Sequence, residues 1–239
     1  MAKKPANAIQ GLAAKSNQLT RKLMFTCFFI ALYRIGVHIP IPGVDTEALR
    51  RFFEDQGGNL FGMFNMLSGG ALERFSVVAL GVMPYISASI IAQLLTVVMP
   101  YLDQLQKEGE SGRKKITQYT RYGTILLAVV QGLMIAKGLQ SQGVVMDGGS
   151  TSWILMSALS LTAGTAFVMW LGEQITERGV GNGISLIIFA GIIAGLPQII
   201  MNTYSKVNSQ EMELFKIIFI VAVIIVTTAG VVFLSLIHI

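Results

Sequence analysis

Charge is the scarcest property of this 239-residue chain: Asp, Glu, Lys and Arg together make up 13%. Soluble domains carry about 25%, so an ordinary soluble globule is excluded. There is one cysteine, Cys27, and there are two histidines, His38 and His238. One thiol can form neither an intrachain disulfide nor a cysteine-based metal site. Two dispersed imidazoles are equally unsuited to hold a metal. The long apolar runs contain no Asp or Glu, and the second to fifth contain no His. Intramembrane catalysis by a Ser–His or paired-acid arrangement therefore has nothing to work with. Nucleotide motifs are missing too. "GESGRKK" lacks the spacing of a phosphate loop, and "GVGNG" has the wrong spacing for a dinucleotide turn and follows no strand. No catalytic residue, metal or cofactor is expected.

Apolar sequence is what remains. Hydrophobic residues make up 53% of the chain and the mean hydropathy is +0.63. Six runs approach the ~20 residues that cross a core of about 30 Å: 23–41, 76–99, 123–139, 152–172, 183–201 and 214–236. The first has a basic flank, but "HIPIPG" follows it in place of a small-residue cleavage site, so it is not a signal peptide. Spans alternate in direction and sort the cations onto two sides. Eleven fall with the N-terminus, among them Lys3, Lys4, Arg21, Lys22, Lys107 and Arg178, against six on the other side. Lys and Arg near span ends favour the cytoplasm, so the N-terminus is expected there.

Several stretches depart from a simple bundle. Arg34 lies within the first run, at a cost of about 2.5–3.5 kcal/mol on insertion scales. It either snorkels to an interface or faces a protein interior or wet cavity. Pro40 and Pro42 then end the helix. A polar, amphipathic stretch leads to "NLFGMFNMLSGGALERF" at 59–75, which is apolar but too short to cross. It is either an interfacial helix or a re-entrant segment; re-entrant backbone is tolerated only where protein or a watery cavity surrounds it. Ser68, Gly69 and Gly70 give it a hinge, glycine being free in backbone angles closed to other residues.

The second run has Pro84 mid-span, where a kink is expected. Val82, Ile86, Ile90 and Leu94 share one face by four-residue spacing. They face lipid, a neighbouring helix or a pore. Gln93 needs a hydrogen-bond partner. The loop "YLDQLQKEGESGRKKITQYTRYG" concentrates charge; it serves topology alone or docks an acidic partner or RNA backbone. The glycines of "GVGNG" are expected to loosen the start of the fifth run. There Ile184 and Ile188 lie one turn apart, and Gly191 and Gly195 form a small-xxx-small pair for close packing.

"FNMLSGGALERFSVVALGVMPYISASIIAQLL", "KEGESGRKKITQYTRYGT" and "WLGEQITERGVGNGIS" resemble the SecY family, channel subunits of the bacterial protein translocase, and "YRIGVHIPIPGV" is similar to the end of that family's first span. The likeness runs from about residue 20 to 233. It implies an all-α membrane protein: a polytopic helical bundle with a re-entrant plug half-helix, forming the N-terminal half of the SecY fold. The plug would be about 59–72, with Phe64, Asn65, Met66, Ser68, Gly69 and Gly70 matching it. The aliphatic pore ring would be Val82, Ile86, Ile184 and Ile188. Ile90, Gln93 and Gln131 would belong to the lateral gate. Arg113, Lys114, Lys115 and Arg121 would lie on the loop that meets the ribosome and the motor SecA. The implied partners are SecE, SecG, SecA, the ribosome, translocating polypeptides and membrane lipid. The implied location is the bacterial plasma membrane.

On this reading residues 1–22 are a cytoplasmic segment, 23–201 the first five spans, and 202–233 a loop and a sixth span. Family members have ten spans, and the tail 234–239 matches nothing expected, so a truncated chain with a foreign tail is expected. The other possibility is a natural half-length protein that pairs with itself. A solute or ion transporter is the alternative function. It too would have broken helices, but it should carry buried acid–base pairs at mid-membrane, where the runs offer only Arg34.

Overall fold

A computed structural model describes residues 4–55, 65, 68–146, 150–209 and 214–237; within these, the side chains of 4–16, 52–55, 198, 214, 216 and 217 are not described. The architecture is helical, with eight helices among the described residues. They are α1 (Lys4–Val37), α2 (Thr46–Asp55), α3 (Met83–Val98), α4 (Pro100–Lys107), α5 (Glu110–Ser141), α6 (Thr151–Arg178), α7 (Gly183–Asn208) and α8 (Leu214–Ile237). Four of them, α5 to α8, contain stretches long and apolar enough to cross a membrane. The bent pair α3–α4, which turns by 100° at Met99, makes up to five. The last 18 residues of α1 carry Arg21, Lys22 and Arg34, so α1 is apolar only in part.

Local chemistry sets the helix starts. The Asp45 carboxylate accepts from Glu47 N and Ala48 N ahead of α2. Ser150 Oγ accepts from Trp153 N at the start of α6, and Asn182 Oδ1 from Ile184 N and Ser185 N at the start of α7. These are side-chain caps for N–H groups that have no partner within the helix. Pro84 and Pro100 lie in the first turns of α3 and α4, where the missing N–H costs nothing.

Pro84 is therefore a correction. In place of the expected kinked helix over 76–99, residues 71–82 form consecutive turns and Pro84 initiates the helix. These turns hold the interior together. Leu72, Phe75, Ala79 and Leu80 enter one apolar cluster, with Leu49 of α2, Ala128 of α5 and Leu161 of α6. Ala71, Val78 and Val82 enter another, with Phe29 and Tyr33 of α1, Val168 and Leu171 of α6, and Ile187 of α7.

The chain divides into two units, Met1–Ala194 and Gly195–Ile239. In the first, α6 is the most enclosed of the candidate spans, packing on α5 and on α1. Close approach needs small residues. A Cβ on Gly164 would collide with the Val77 carbonyl, and one on Gly183 with the Gly172 carbonyl. Gly183, the last glycine of "GVGNG" and the first residue of α7, thus packs closely on α6, where a loosened start was expected. In the second unit, α8 is strongly apolar, and its described side chains are exposed.

Packing at Gly164 predicts that Gly164→Ala destabilises the full-length protein by about 1–3 kcal/mol, the usual cost of overpacking. Gly138, also helical, has open space where a Cβ would stand, with nothing within 4 Å, and Gly138→Ala is expected to be tolerated. Thermal unfolding in detergent compares the two.

Candidate channel site

Two cavities meet at Ile86. The first, about 360 Å3, is lined largely by apolar residues, including Leu72, Leu80, Val82, Ile86 and Ile188, with Ser68, Ser87 and Gln131 among them. The second, about 480 Å3, is more polar: Tyr85, Ser89, Gln93, Arg121, Glu173 and Asn182 line it together with Ile86, Ile90 and Ile184. The four aliphatic residues singled out in the sequence therefore sit at the cavity walls. Val82 and Ile188 face the apolar one, Ile184 the polar one and Ile86 both. Val82 closes off the turn segment as the residue before α3, and Ile86 N donates to its carbonyl at 3.0 Å. Ile184 and Ile188 share a face of α7.

Of the residues expected to form a plug, Phe64 and Met66 lie outside the described residues. Asn65, Ser68, Gly69 and Gly70 form a tight turn, in which Gly70 N and Ser68 Oγ both donate to the Asn65 carbonyl at 2.9 Å. Gly69 and Gly70 have φ of 67° and 81°, angles that favour glycine. Two side chains of α1 hold this turn. Tyr33 Oη donates to the Ser68 carbonyl at 3.1 Å, and Arg34 Nη1 to the Gly69 carbonyl at 3.3 Å. Arg34 thus faces protein, the interior alternative of the two open for it. Gly69 also lies against Gly191 of α7, whose Cα is 3.0 Å from a Cβ built on Gly69. The close packing expected of the Gly191 and Gly195 pair is made at Gly191 alone and against this turn; a Cβ on Gly195 would meet nothing within 4 Å.

The residues assigned to a gate separate. Ile90, 52% exposed, and Gln93 line the polar cavity, and Gln131 of α5 lines the apolar one. Gln93 Nε2 finds its partner within its own helix, donating to Ser89 Oγ at 3.3 Å.

The basic loop is helical. α4 and the start of α5 form a tight corner at Gly109, φ 80°, where a Cβ on Gly112 would collide with the Leu105 carbonyl. Arg113, Lys114 and Lys115 are exposed on the first turns of α5. Lys114 pairs with Glu110 at 3.1 Å, both well exposed, a contact worth about 0.3–0.5 kcal/mol. Arg121 is placed elsewhere. Two turns further along α5, it donates through Nε to Glu173 Oε1 of α6 at 2.7 Å, with side-chain exposures of 43% and 16%. Sequence reasoning misses this ion pair because its partners stand 52 residues apart. The contact of Tyr33 with the Ser68 carbonyl is equally invisible in the sequence, since its partners stand 35 residues apart.

Helices built around an irregular, enclosed segment, several of them long and apolar enough to cross a membrane, form an all-α membrane-protein fold. Two solved structures share it, Sec61 in the canine ribosome-channel complex from the endoplasmic reticulum and the structure of a protein conducting channel. Each has a TM-score of 0.52 and 18% identity, covering 71% of this chain and 35% of that one. The family model SecY matches residues 76–239, a range that takes in the tail set apart above. The protein translocase subunit SecY of Buchnera aphidicola subsp. Acyrthosiphon kondoi is 49% identical, over 98% of this chain and 67% of the relative. That of Escherichia coli K12 is also 49% identical, over 98% of this chain and 54% of the relative. For Pseudomonas aeruginosa the figures are 49%, 94% and 51%. The chain belongs to the SecY family. It spans about half to two thirds of the length of these relatives.

The Arg121–Glu173 pair lies between the surface limit of about 0–1 kcal/mol and the roughly 3–5 kcal/mol of breaking a buried pair. Arg121→Ala is expected to destabilise by about 1–2 kcal/mol, because it leaves the Glu173 carboxylate half-enclosed without its cation. The exchange Arg121→Glu/Glu173→Arg should recover part of the loss in the same thermal unfolding measurement.

Proposed function

We propose that this chain forms the N-terminal half of a protein-conducting channel that moves unfolded secretory polypeptides across the bacterial plasma membrane and releases apolar segments sideways into lipid. The observation that carries the reading is Ile86, which lines both the apolar and the polar cavity. With Val82, Ile184 and Ile188 it forms one side of an aliphatic waist. Such a waist seals by steric fit and dewetting and binds no ion. It is also indifferent to the sequence that passes. No step in this reading needs a catalytic group.

The turn at 65–70 supplies the base of a plug on the apolar side, and Ile90, Gln93 and Gln131 belong to a lateral exit. Leaving through it is favourable for Leu or Ile by about 0.3–0.6 kcal/mol each and costly for charged residues. The N-terminus is cytoplasmic in this reading, which sets the polar cavity and the basic corner at the cytoplasmic side. Arg113, Lys114 and Lys115 gain nothing from the N-terminal end of a helix dipole, which favours anions. Their place in the first turns of α5 fits a polyanionic partner, the ribosome, or the motor SecA. SecE and SecG are the further proposed subunits, and the other half of the waist comes from the remaining spans of the complete protein.

A transporter reading has one feature in its favour, the Arg121–Glu173 pair beside the polar cavity. That pair stands at the ends of the apolar runs and outside their middle, where coupling charges would act.

The test is a photoreactive residue at Ile86 in the full-length protein. A stalled secretory polypeptide is expected to crosslink there, and a short polar solute is not. Labelling by a solute with no crosslink to polypeptide would replace the channel reading with the transporter.

A further inference from the structure

Asn65 and Glu73 are joined by two hydrogen bonds. Asn65 Nδ2 donates to Glu73 Oε2 at 3.1 Å, and Glu73 N donates to Asn65 Oδ1 at 3.0 Å. One amide therefore satisfies both the backbone and the carboxylate of one residue. The two partners lie on opposite sides of the glycine pair Gly69–Gly70.

Beyond that pair the chain is fixed. Ala71 is 0% exposed and Phe75 1%. Ile41 N donates to the Phe75 carbonyl at 3.0 Å, and Val77 N to the Ile39 carbonyl at 2.9 Å. Phe75 holds φ of 44°, a costly angle for a side-chain-bearing residue that persists only where the surroundings over-determine it. Before the pair lies Ser68, which lines the apolar cavity. If the turn carrying Ser68 leaves the cavity wall, it pivots at the glycines. Asn65 must then part from Glu73, and Tyr33 from the Ser68 carbonyl.

We propose that Asn65 and Glu73 are the latch that holds this turn closed over the apolar cavity in the resting channel. The proposal rests on the plug reading above and names the contact that sets how readily the plug leaves. Its chemistry is directional. Asn65 must accept from a backbone N–H at one end and donate to a carboxylate at the other. An amide does both, with its oxygen as acceptor and its nitrogen as donor. Asn65→Asp keeps the acceptor and sets carboxylate against carboxylate. Adding Glu73→Gln reverses donor and acceptor, so that the glutamine amide donates to the aspartate.

The experiment measures resting ion conductance of the complete channel in planar bilayers, without substrate. Losing a hydrogen bond to a charged group and gaining repulsion shifts an opening equilibrium by about tenfold or more. Asn65→Asp is expected to raise the conductance by that factor. The double variant Asn65→Asp/Glu73→Gln should return it to within about twofold of the parent, as the restored pair predicts. Asn65→Leu, which carries no charge, should leak as well and serves if the aspartate variant fails to assemble. Deleting residues 60–67 reports on the plug reading separately. A leaking deletion with tight Asn65→Asp and Asn65→Leu channels would overturn the latch and spare the plug. A tight deletion would overturn both. Leakage of Asn65→Asp that Glu73→Gln does not reverse would also overturn the latch, because a general loss of packing has no reason to respond to the exchange of donor and acceptor.

Discussion

Unpaired backbone cannot be left in contact with lipid. Each unsatisfied N–H or C=O in hydrocarbon costs several kcal/mol, and the turn segment 71–82 of this chain is irregular while standing among apolar helices. Its arrangement meets that constraint in two ways. The segment pairs with itself in successive short turns, from Phe75 N to the Leu72 carbonyl and onward to Met83 N and the Leu80 carbonyl. It also borrows partners from the stretch after α1, where Ile39 and Ile41 exchange hydrogen bonds with Val77 and Phe75. Helices α1, α5, α6 and α7 then wrap it with the two apolar clusters that its own side chains join.

The enclosure explains why the tightest contacts in the fold are at glycines. α6 has to pass the Val77 carbonyl closely, which Gly164 permits, and α7 has to turn back against α6, which Gly172 and Gly183 permit. With those approaches made, Val82 and Ile86 on one side and Ile184 and Ile188 on the other come to line the two cavities. The placement of these four residues at the cavity walls is thus a by-product of covering an irregular segment. The same enclosure places Tyr33 and Arg34 against the Ser68–Gly69 turn, where the cost of an ionised side chain in an apolar run is offset in part by its hydrogen bond to the Gly69 carbonyl.

Much of this is legible in the sequence. Low charge and long apolar runs are enough for a helical membrane protein. Four-residue spacing puts Val82 and Ile86 on one face, the resemblance to the SecY family singles them out together with Ile184 and Ile188, and Ser68, Gly69 and Gly70 mark a turn. The misses share a cause. Pro84 reads as a kink because the pattern around it is uniformly apolar, and hydropathy does not distinguish helix from enclosed turns. Arg121 reads as loop charge because its neighbours in sequence are basic, while its partner Glu173 comes from another helix.

Sequence alone settled the apolar solvent and the rough position of the apolar segments, because partition into a bilayer depends on composition over a window of about 20 residues. Contacts between distant positions depended on the fold. The pairing of Arg121 with Glu173, the clasp of Asn65 on Glu73 and the choice of Gly164 for the closest approach each join residues whose separation matches no helical or strand period, and only the packed chain brings them within reach.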